Sequence, residues 1–137
     1  MSIAPQSEGV RGVVTASRLF MAAQEGYEAA VGLLVAAPGI DVNQPDSKDG
    51  MTPLYIAAQE GHGACIRLLV AAPGIDVNQP ESNYGMTPLY IAAQQGHEAC
   101  VRLLVAAPRI DVNQQISNHG GTPLYIAATK GHEACVR

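Results

Sequence analysis

The chain has no tryptophan and one phenylalanine, and only 15% of its 137 residues are charged. It is nevertheless 47% hydrophobic, with alanine and leucine prominent. Because large aromatic side chains are scarce, we expect a core of small side chains on elements that approach one another closely. The length suits one ordinary domain and is short for two.

Charge and hydropathy argue against two classes of partner. The net charge is −4, whereas proteins that bind nucleic acid or anionic membranes favour basic patches. The longest apolar runs, such as "LLVAA", fall far short of the roughly 20 residues that span a bilayer. We therefore predict a partner that is neither a nucleic acid nor a membrane.

Cysteine is also sparse, at three residues. The opening residues, "MSIAPQSEGVRGVV", lack the charged start and apolar run of a secretory signal. An odd number of cysteines without such a signal argues against a disulfide framework. These features predict an intracellular, cytoplasmic location.

What the chain does have is an internal repeat of 35 residues. "TPLYIAAQEGH" begins at Thr52, "TPLYIAAQQGH" at Thr87 and "TPLYIAATKGH" at Thr122. Residues 52–86 and 87–121 are identical at 27 of 35 positions. Self-similarity at a fixed spacing of this size predicts a stacked array.

The repeat divides the chain into units at about 17–51, 52–86 and 87–121, with a partial unit at 122–137. Residues 1–16 fall outside it and are predicted to be an N-terminal tail or a partial cap. Terminal units normally carry a polar outer face, but Leu124, Ala127 and Val136 are expected to lack a following unit. We infer either a fragment of a longer array or an end that another chain covers.

Each unit is predicted to contain two short helices and an extended loop. Thr52 can cap a helix that starts at Pro53 and ends at Gly61, with Leu54, Ala57 and Ala58 on one face. A second helix is expected to begin near His62. Its broad apolar stripe comprises Ala64, Cys65, Leu68, Leu69 and Ala72. Ile75–Val77 then forms a brief extended piece before the turn residues "QPESNYG".

These motifs resemble the ankyrin repeat, whose unit of about 33 residues carries the signature T-P-L-H-x-A-A. The resemblance implies an all-α solenoid of stacked helix-turn-helix units joined by hairpin-like turns. It departs from the family where tyrosine (Tyr55, Tyr90 and Tyr125) replaces the histidine of the signature. Because that histidine commonly joins neighbouring units, its hydrogen bonds must be rebuilt or lost here. Single extra residues in two loops lengthen each unit.

The resemblance also implies a protein-binding scaffold without catalytic activity. Its contacts would come from the turn tips and the exposed side of each first helix, which line a concave surface. Tyr84 and Met86 are the preferred anchors, because large or adaptable side chains dominate contact energies. The full set of positions is Lys48, Asp49, Met51, Gln59, Glu60, Asn83, Tyr84, Met86, Gln94, Gln95, Asn118, His119, Gly121, Thr129 and Lys130.

Differences between units support this interpretation. Five of the eight differences between the second and third units lie in the turn or at the end of the first helix: Glu60/Gln95, Pro80/Gln115, Glu81/Ile116, Tyr84/His119 and Met86/Gly121. Turn charge also varies, with three charged residues in the first turn, Glu81 alone in the second and no residue of fixed charge in the third. Variable chemistry on a constant scaffold suits recognition of a partner, although exposed loops also drift freely.

Three repeated patterns contain residue types that can form chemical sites. The tyrosines could serve as nucleophiles, but residues present in every unit more often pack between units. The His62-x-x-Cys65 pattern could bind zinc, yet the first unit has Tyr27 and Ala30 at these places, and zinc needs about four ligands. Asp41 and its equivalents suit turn hydrogen bonding. We therefore predict no catalytic, cofactor or metal site. The alternative function is self-association of a structural module, with end-to-end stacking.

Overall fold

The computed structural model describes residues 16–114, 121–130, 132 and 136, and all regular structure in these residues is α-helical. The all-α prediction is thus confirmed. The predicted tail or cap lies outside the described residues except for Ala16, and the unit boundaries stay a prediction. The helices are α1 (16–25), α2 (Glu28–Val35), α3 (Pro53–Glu60), α4 (Gly63–Val70), α5 (Pro88–Gln95), α6 (Glu98–Val105) and α7 (Pro123–Thr129).

Helices α3 and α5 begin and end as the sequence predicts. The Tyr55 backbone N–H donates to Thr52 Oγ1 at 3.1 Å, and Pro53 occupies the first helical position. Gly61 ends α3 with a left-handed φ of 79°, a conformation that costs glycine little. The same threonine cap and proline recur in α5 and α7.

The second helices α2, α4 and α6 follow the first helices of the first three units. His62 immediately precedes α4, close to the expected start, and α4 ends at Val70, before the predicted stop at Pro73. Cys65 and Leu69 are buried as expected, and Ile66 is buried as well. This apolar face packs toward the neighbouring second helices, because α4 contacts both α2 and α6.

The helices form two rows. The first helices α3, α5 and α7 lie side by side, the second helices α2, α4 and α6 do the same, and α3 and α5 each contact their own second helix. The single apolar face predicted for the first helix is too narrow. Tyr55 and Ile56 are both 3% exposed in α3, as deeply buried as the expected Leu54. Burial extends round α3 because α4 and the adjacent first helices cover different sides of it.

The histidine that follows the first helix of a unit bonds to the first helix of the preceding unit. His62 Nε2 lies 3.0 Å from the Gln24 carbonyl oxygen, and His97 and His132 make the same contact with the preceding unit. Since a carbonyl oxygen can only accept, Nε2 carries the proton and donates. Inter-unit hydrogen bonds are therefore present, and they are made by a histidine outside the Thr-Pro-Leu-Tyr motif.

Asparagines connect successive loops. The Asn43 side chain donates to the Gly74 carbonyl oxygen and accepts the Asp76 N–H, both at 2.8 Å. Asn78 does the same one unit later. The carboxylate of Asp41 accepts the Asn43 N–H at 3.0 Å, which confirms the predicted turn-bonding role. The expected extended piece is therefore a bonded loop; no strand is present among the described residues.

Candidate partner-binding surface

The first turn, residues 46–51, precedes α3 and is organised by one carboxylate. Asp46 Oδ1 accepts the Met51 N–H at 2.7 Å, while Asp46 Oδ2 accepts the N–H groups of Lys48 and Asp49 at 3.2 and 3.3 Å. The backbone closes the turn, because the Asp46 N–H donates to the Met51 carbonyl at 2.8 Å. A side chain and the main chain thus fix the same six residues.

The second turn, residues 81–86, repeats this arrangement with a glutamate. Glu81 Oε1 accepts the N–H groups of Tyr84 and Met86 at 2.8 and 3.0 Å, and Oε2 accepts that of Asn83 at 2.6 Å. Glu81 is only 3% exposed. The prediction that Glu81 presents a charge on the surface of the turn is therefore wrong. Its carboxylate is buried and accepts hydrogen bonds from the backbone.

The second turn also contacts the first turn directly. Ser82 Oγ donates to the Asp49 carbonyl oxygen at 2.9 Å, and Asn83 Nδ2 lies 3.4 Å from Asp49 Oδ1. Gly50, with φ of 66°, permits this approach, since a Cβ there would stand 2.1 Å from Ser82 Oγ. The two turns form one continuous surface.

The predicted contact residues differ in exposure. Tyr84 is 56% exposed, whereas Met86 is half-buried, with its Sδ 3.7 Å from the Tyr55 hydroxyl. Gly121 is buried beside the Tyr90 ring. Asn118, His119 and the side chain of Thr129 lie outside the described residues. The exposed positions are Lys48, Glu60, Asn83, Gln95 and Lys130, and the half-buried ones are Asp49, Met51, Gln59 and Gln94.

The ends of the first helices vary in charge at one repeated position. Glu25, Glu60, Gln95 and Lys130 are equivalent in the repeat, and all four are exposed. The sequence prediction omitted Glu25, although the 35-residue step from Glu60 would have located it. The side chains at this position therefore change from acidic through neutral to basic along the array.

Two of the three repeated tyrosines are packed as predicted, whereas Tyr125 is 61% exposed. Tyr55 is 3% and Tyr90 4% exposed. Burial, with a smaller effect of the Glu81 charge, raises the pKa of the Tyr55 hydroxyl far above its ordinary value. A phenol held neutral in this way is a poor nucleophile.

The His-x-x-Cys pattern does not bring its two side chains to a common site. His62 is engaged with Gln24, and Cys65 is fully buried in α4. Burial, with a lesser contribution from Glu28, raises the pKa of the Cys65 thiol, which disfavours the thiolate that binds metals. Within the described part of the chain, no group of three or more histidine, cysteine or carboxylate side chains is arranged to hold a metal ion.

The arrangement of capped helix pairs, bonded turns and inter-unit links agrees with a family-level comparison. A family model described as ankyrin repeats, in three copies, matches residues 19–116 and 76–137. The chain belongs to the ankyrin repeat family. Ankyrin repeats are generally protein–protein interaction modules and typically lack enzymatic activity. A comparison with curated proteins gives no match.

The described ankyrin helices are short. None of them has the length and apolar character needed to cross a bilayer.

Proposed function

We propose that this ankyrin array binds a partner protein through its turn tips and the exposed ends of its first helices. The observation that carries the proposal is Tyr84, an exposed aromatic side chain on a turn whose backbone is hydrogen-bonded at three N–H groups. Tyrosine is enriched among the residues that dominate binding energies, because it offers a large contact area with few rotatable bonds.

Variation along the array supports the same proposal. The backbone and caps repeat from unit to unit, while the exposed position at Glu25, Glu60, Gln95 and Lys130 changes its charge. A partner lying along this row would meet acidic side chains first and a basic side chain last. Charge complementarity of this kind contributes to specificity more than to affinity.

The test compares partner recovery by the wild-type chain with recovery by Tyr84→Ala, using equal amounts of immobilised protein and quantitative mass spectrometry. We expect the recovery of specific partners to fall about 30-fold, because an aromatic anchor contributes ~2 kcal/mol or more. Arg67→Ala is the matched control, since Arg67 is exposed on α4 in the other row of helices. Equal recovery by wild type and Tyr84→Ala would refute the surface that we propose.

Self-association is the second candidate, and a groove at the last described helix favours it. The groove has a volume of about 620 Å³ and is lined by α5, α6 and α7, including Leu89, Val101 and Leu124. Leu124 is 58% exposed there, and Leu33 is 77% exposed on the first unit. Within the array, Leu68 of the second unit packs beside Gly32 of the first, so Leu33 would pack on a preceding unit.

A mixing experiment tests head-to-tail association. Leu124→Glu and Leu33→Glu each block one end, so each variant alone should be monomeric in static light scattering. A mixture should stop at dimers, because only one compatible pair of ends remains. A wild-type chain that stays monomeric at all concentrations would eliminate this candidate.

A further inference from the structure

The second turn contains a buried carboxylate. Glu81 is 3% exposed, and no cationic side chain forms an ion pair with it among the described residues. Its charge is stabilised by backbone N–H groups of Asn83, Tyr84 and Met86. Three such bonds compensate the loss of hydration that burial imposes on a carboxylate.

These bonds fix the backbone on both sides of the exposed Tyr84 ring. Glu81 Oε1 is shared by the N–H groups of Tyr84 and Met86, and the Glu81 N–H donates to the Met86 carbonyl at 2.8 Å. Ser82, in addition, is tied to the first turn through the Asp49 carbonyl. The ring therefore projects from a backbone that is held from within the turn and from the neighbouring unit.

The other turns indicate which property of Glu81 matters. Asp46 bonds the first turn in the same pattern, so a shorter carboxylate can do this work. The third unit has Ile116 at this place in the sequence, and isoleucine carries no acceptor. Two turns therefore have a carboxylate at this position, and the sequence of the third has none.

We propose that Glu81 is a positioning residue for partner binding, which holds Tyr84 in its binding orientation before the partner arrives. The first and second turns then act as one preformed recognition surface. Preorganisation raises affinity because less conformational entropy is lost when the complex forms. This inference rests on the proposed function, since it assumes that Tyr84 contacts the partner.

Three substitutions at Glu81 separate the contributions of its oxygens. Glu81→Asp preserves a carboxylate like that of the first turn and should keep nearly full partner recovery. Glu81→Gln keeps an oxygen for Tyr84 and Met86 but presents an amide N–H₂ to Asn83, so a loss of a few-fold is expected. Glu81→Ile introduces the residue of the third unit and should lower recovery about tenfold.

Two further measurements exclude a merely structural role. Hydrogen exchange at the amides of Asn83, Tyr84 and Met86 should accelerate in Glu81→Ile more than in Glu81→Asp, while the amides of α5 keep their protection. The double variant Glu81→Ile with Tyr84→Ala should recover no less partner than Tyr84→Ala alone, because Glu81 acts through Tyr84. General destabilisation would instead make the two losses add.

The outcomes distinguish this inference from the function on which it rests. If Tyr84→Ala lowers recovery but Glu81→Ile and Glu81→Gln do not, Glu81 has no positioning role and the binding surface stands. If Tyr84→Ala itself leaves recovery unchanged, the proposed surface fails first. Should Glu81→Ile fail to fold, the graded comparison of Glu81→Gln with Glu81→Asp decides the matter, and equal recovery by both would overturn the proposal.

Discussion

Helices α5 and α7 begin with the same six residues, Pro-Leu-Tyr-Ile-Ala-Ala, yet their side chains differ in exposure. Leu89 is 2% exposed in α5, whereas the equivalent Leu124 in α7 is 58% exposed. Tyr90 and Tyr125 differ in the same way, at 4% and 61%. The first alanine does not differ, since Ala92 is 0% and Ala127 1% exposed, but Ala128 is exposed where its equivalent Ala93 is buried. Ala127, a position expected to lack a following unit, is buried because α7 packs against α5.

The first unit shows the opposite pattern. Leu19 is fully buried there, while Met21 is 62% exposed and its equivalent Ile56 is 3% exposed. The leucine position is therefore covered by the following unit and the isoleucine position by the preceding one. Whether a residue of this array is buried therefore depends on the neighbouring unit that contacts it, as expected for a quasi-one-dimensional stack.

The largest expected effect comes from a substitution that removes a leucine from the contact between two units. Leu89→Ala should lower the free energy of unfolding by about 2–5 kcal/mol, because it leaves a cavity between two units. Leu124→Ala, the matched change at an exposed position, should cost no more than about 1 kcal/mol. Urea unfolding followed by circular dichroism at low protein concentration measures both. Equal losses would mean that Leu124 is covered in solution, as head-to-tail association requires.

A second effect concerns the tyrosines at high pH. The pKa of Tyr55 is raised in the folded chain, whereas the unfolded chain ionises near the ordinary value of about 10. The contribution of Tyr55 to the free energy of unfolding is therefore constant below pH ~10. Above that pH it falls by about 1.4 kcal/mol per pH unit, until Tyr55 also ionises in the folded chain. In Tyr55→Phe the free energy of unfolding should therefore fall less steeply with rising pH than in wild type.

Tyr27→Phe is the control for the pH experiment, because the Tyr27 ring is 62% exposed. The relevant measurement is the slope of unfolding free energy against pH between about 10 and 11.5. The slope is independent of the constant offset that loss of the Tyr55 contact with Met86 produces. If Tyr55→Phe and wild type have the same slope, the buried phenol does not control alkaline stability.

Local features of the fold were predictable because their causes are local. The cap at Thr52 and the left-handed stop at Gly61 depend on residues within one helix. The period of the repeat then predicted stacking. The family followed from these motifs, and its match covers most of the chain.

The candidate surface was harder to predict, because burial there depends on neighbouring units. Glu81 was interpreted as an exposed charge, since carboxylates are rarely fully buried. Nothing in the turn sequence alone shows that its two oxygens meet three backbone N–H groups. Asp46 offered a partial signal, because an acidic residue at this place in two successive turns suggests a shared structural task. The inter-unit bond of His62 was missed for a similar reason: its acceptor, the Gln24 carbonyl, lies 38 residues earlier.

The smallest expected effect concerns two equivalent positions that have similar backbone conformations but different residues. Arg109 adopts a left-handed φ of 66°, while its equivalent Gly74 has φ of 78°. Asn78 donates to the Arg109 carbonyl at 2.8 Å, as Asn43 does to that of Gly74. The asparagine hydrogen bond is therefore present in both units. At Arg109, however, the left-handed backbone conformation costs a residue with a side chain roughly 1–2 kcal/mol.

Arg109→Gly should relieve this strain and stabilise the chain by about 0.5–1 kcal/mol, after allowance for the greater freedom of glycine in the unfolded state. Gly74→Arg is the reciprocal change and should destabilise by a similar amount. No atom lies within 4 Å of a Cβ built at Gly74, so the backbone alone sets that cost. The urea midpoints of the two variants should move in opposite directions. A loss of stability in Arg109→Gly would show that contacts of the arginine side chain outweigh the strain of its backbone.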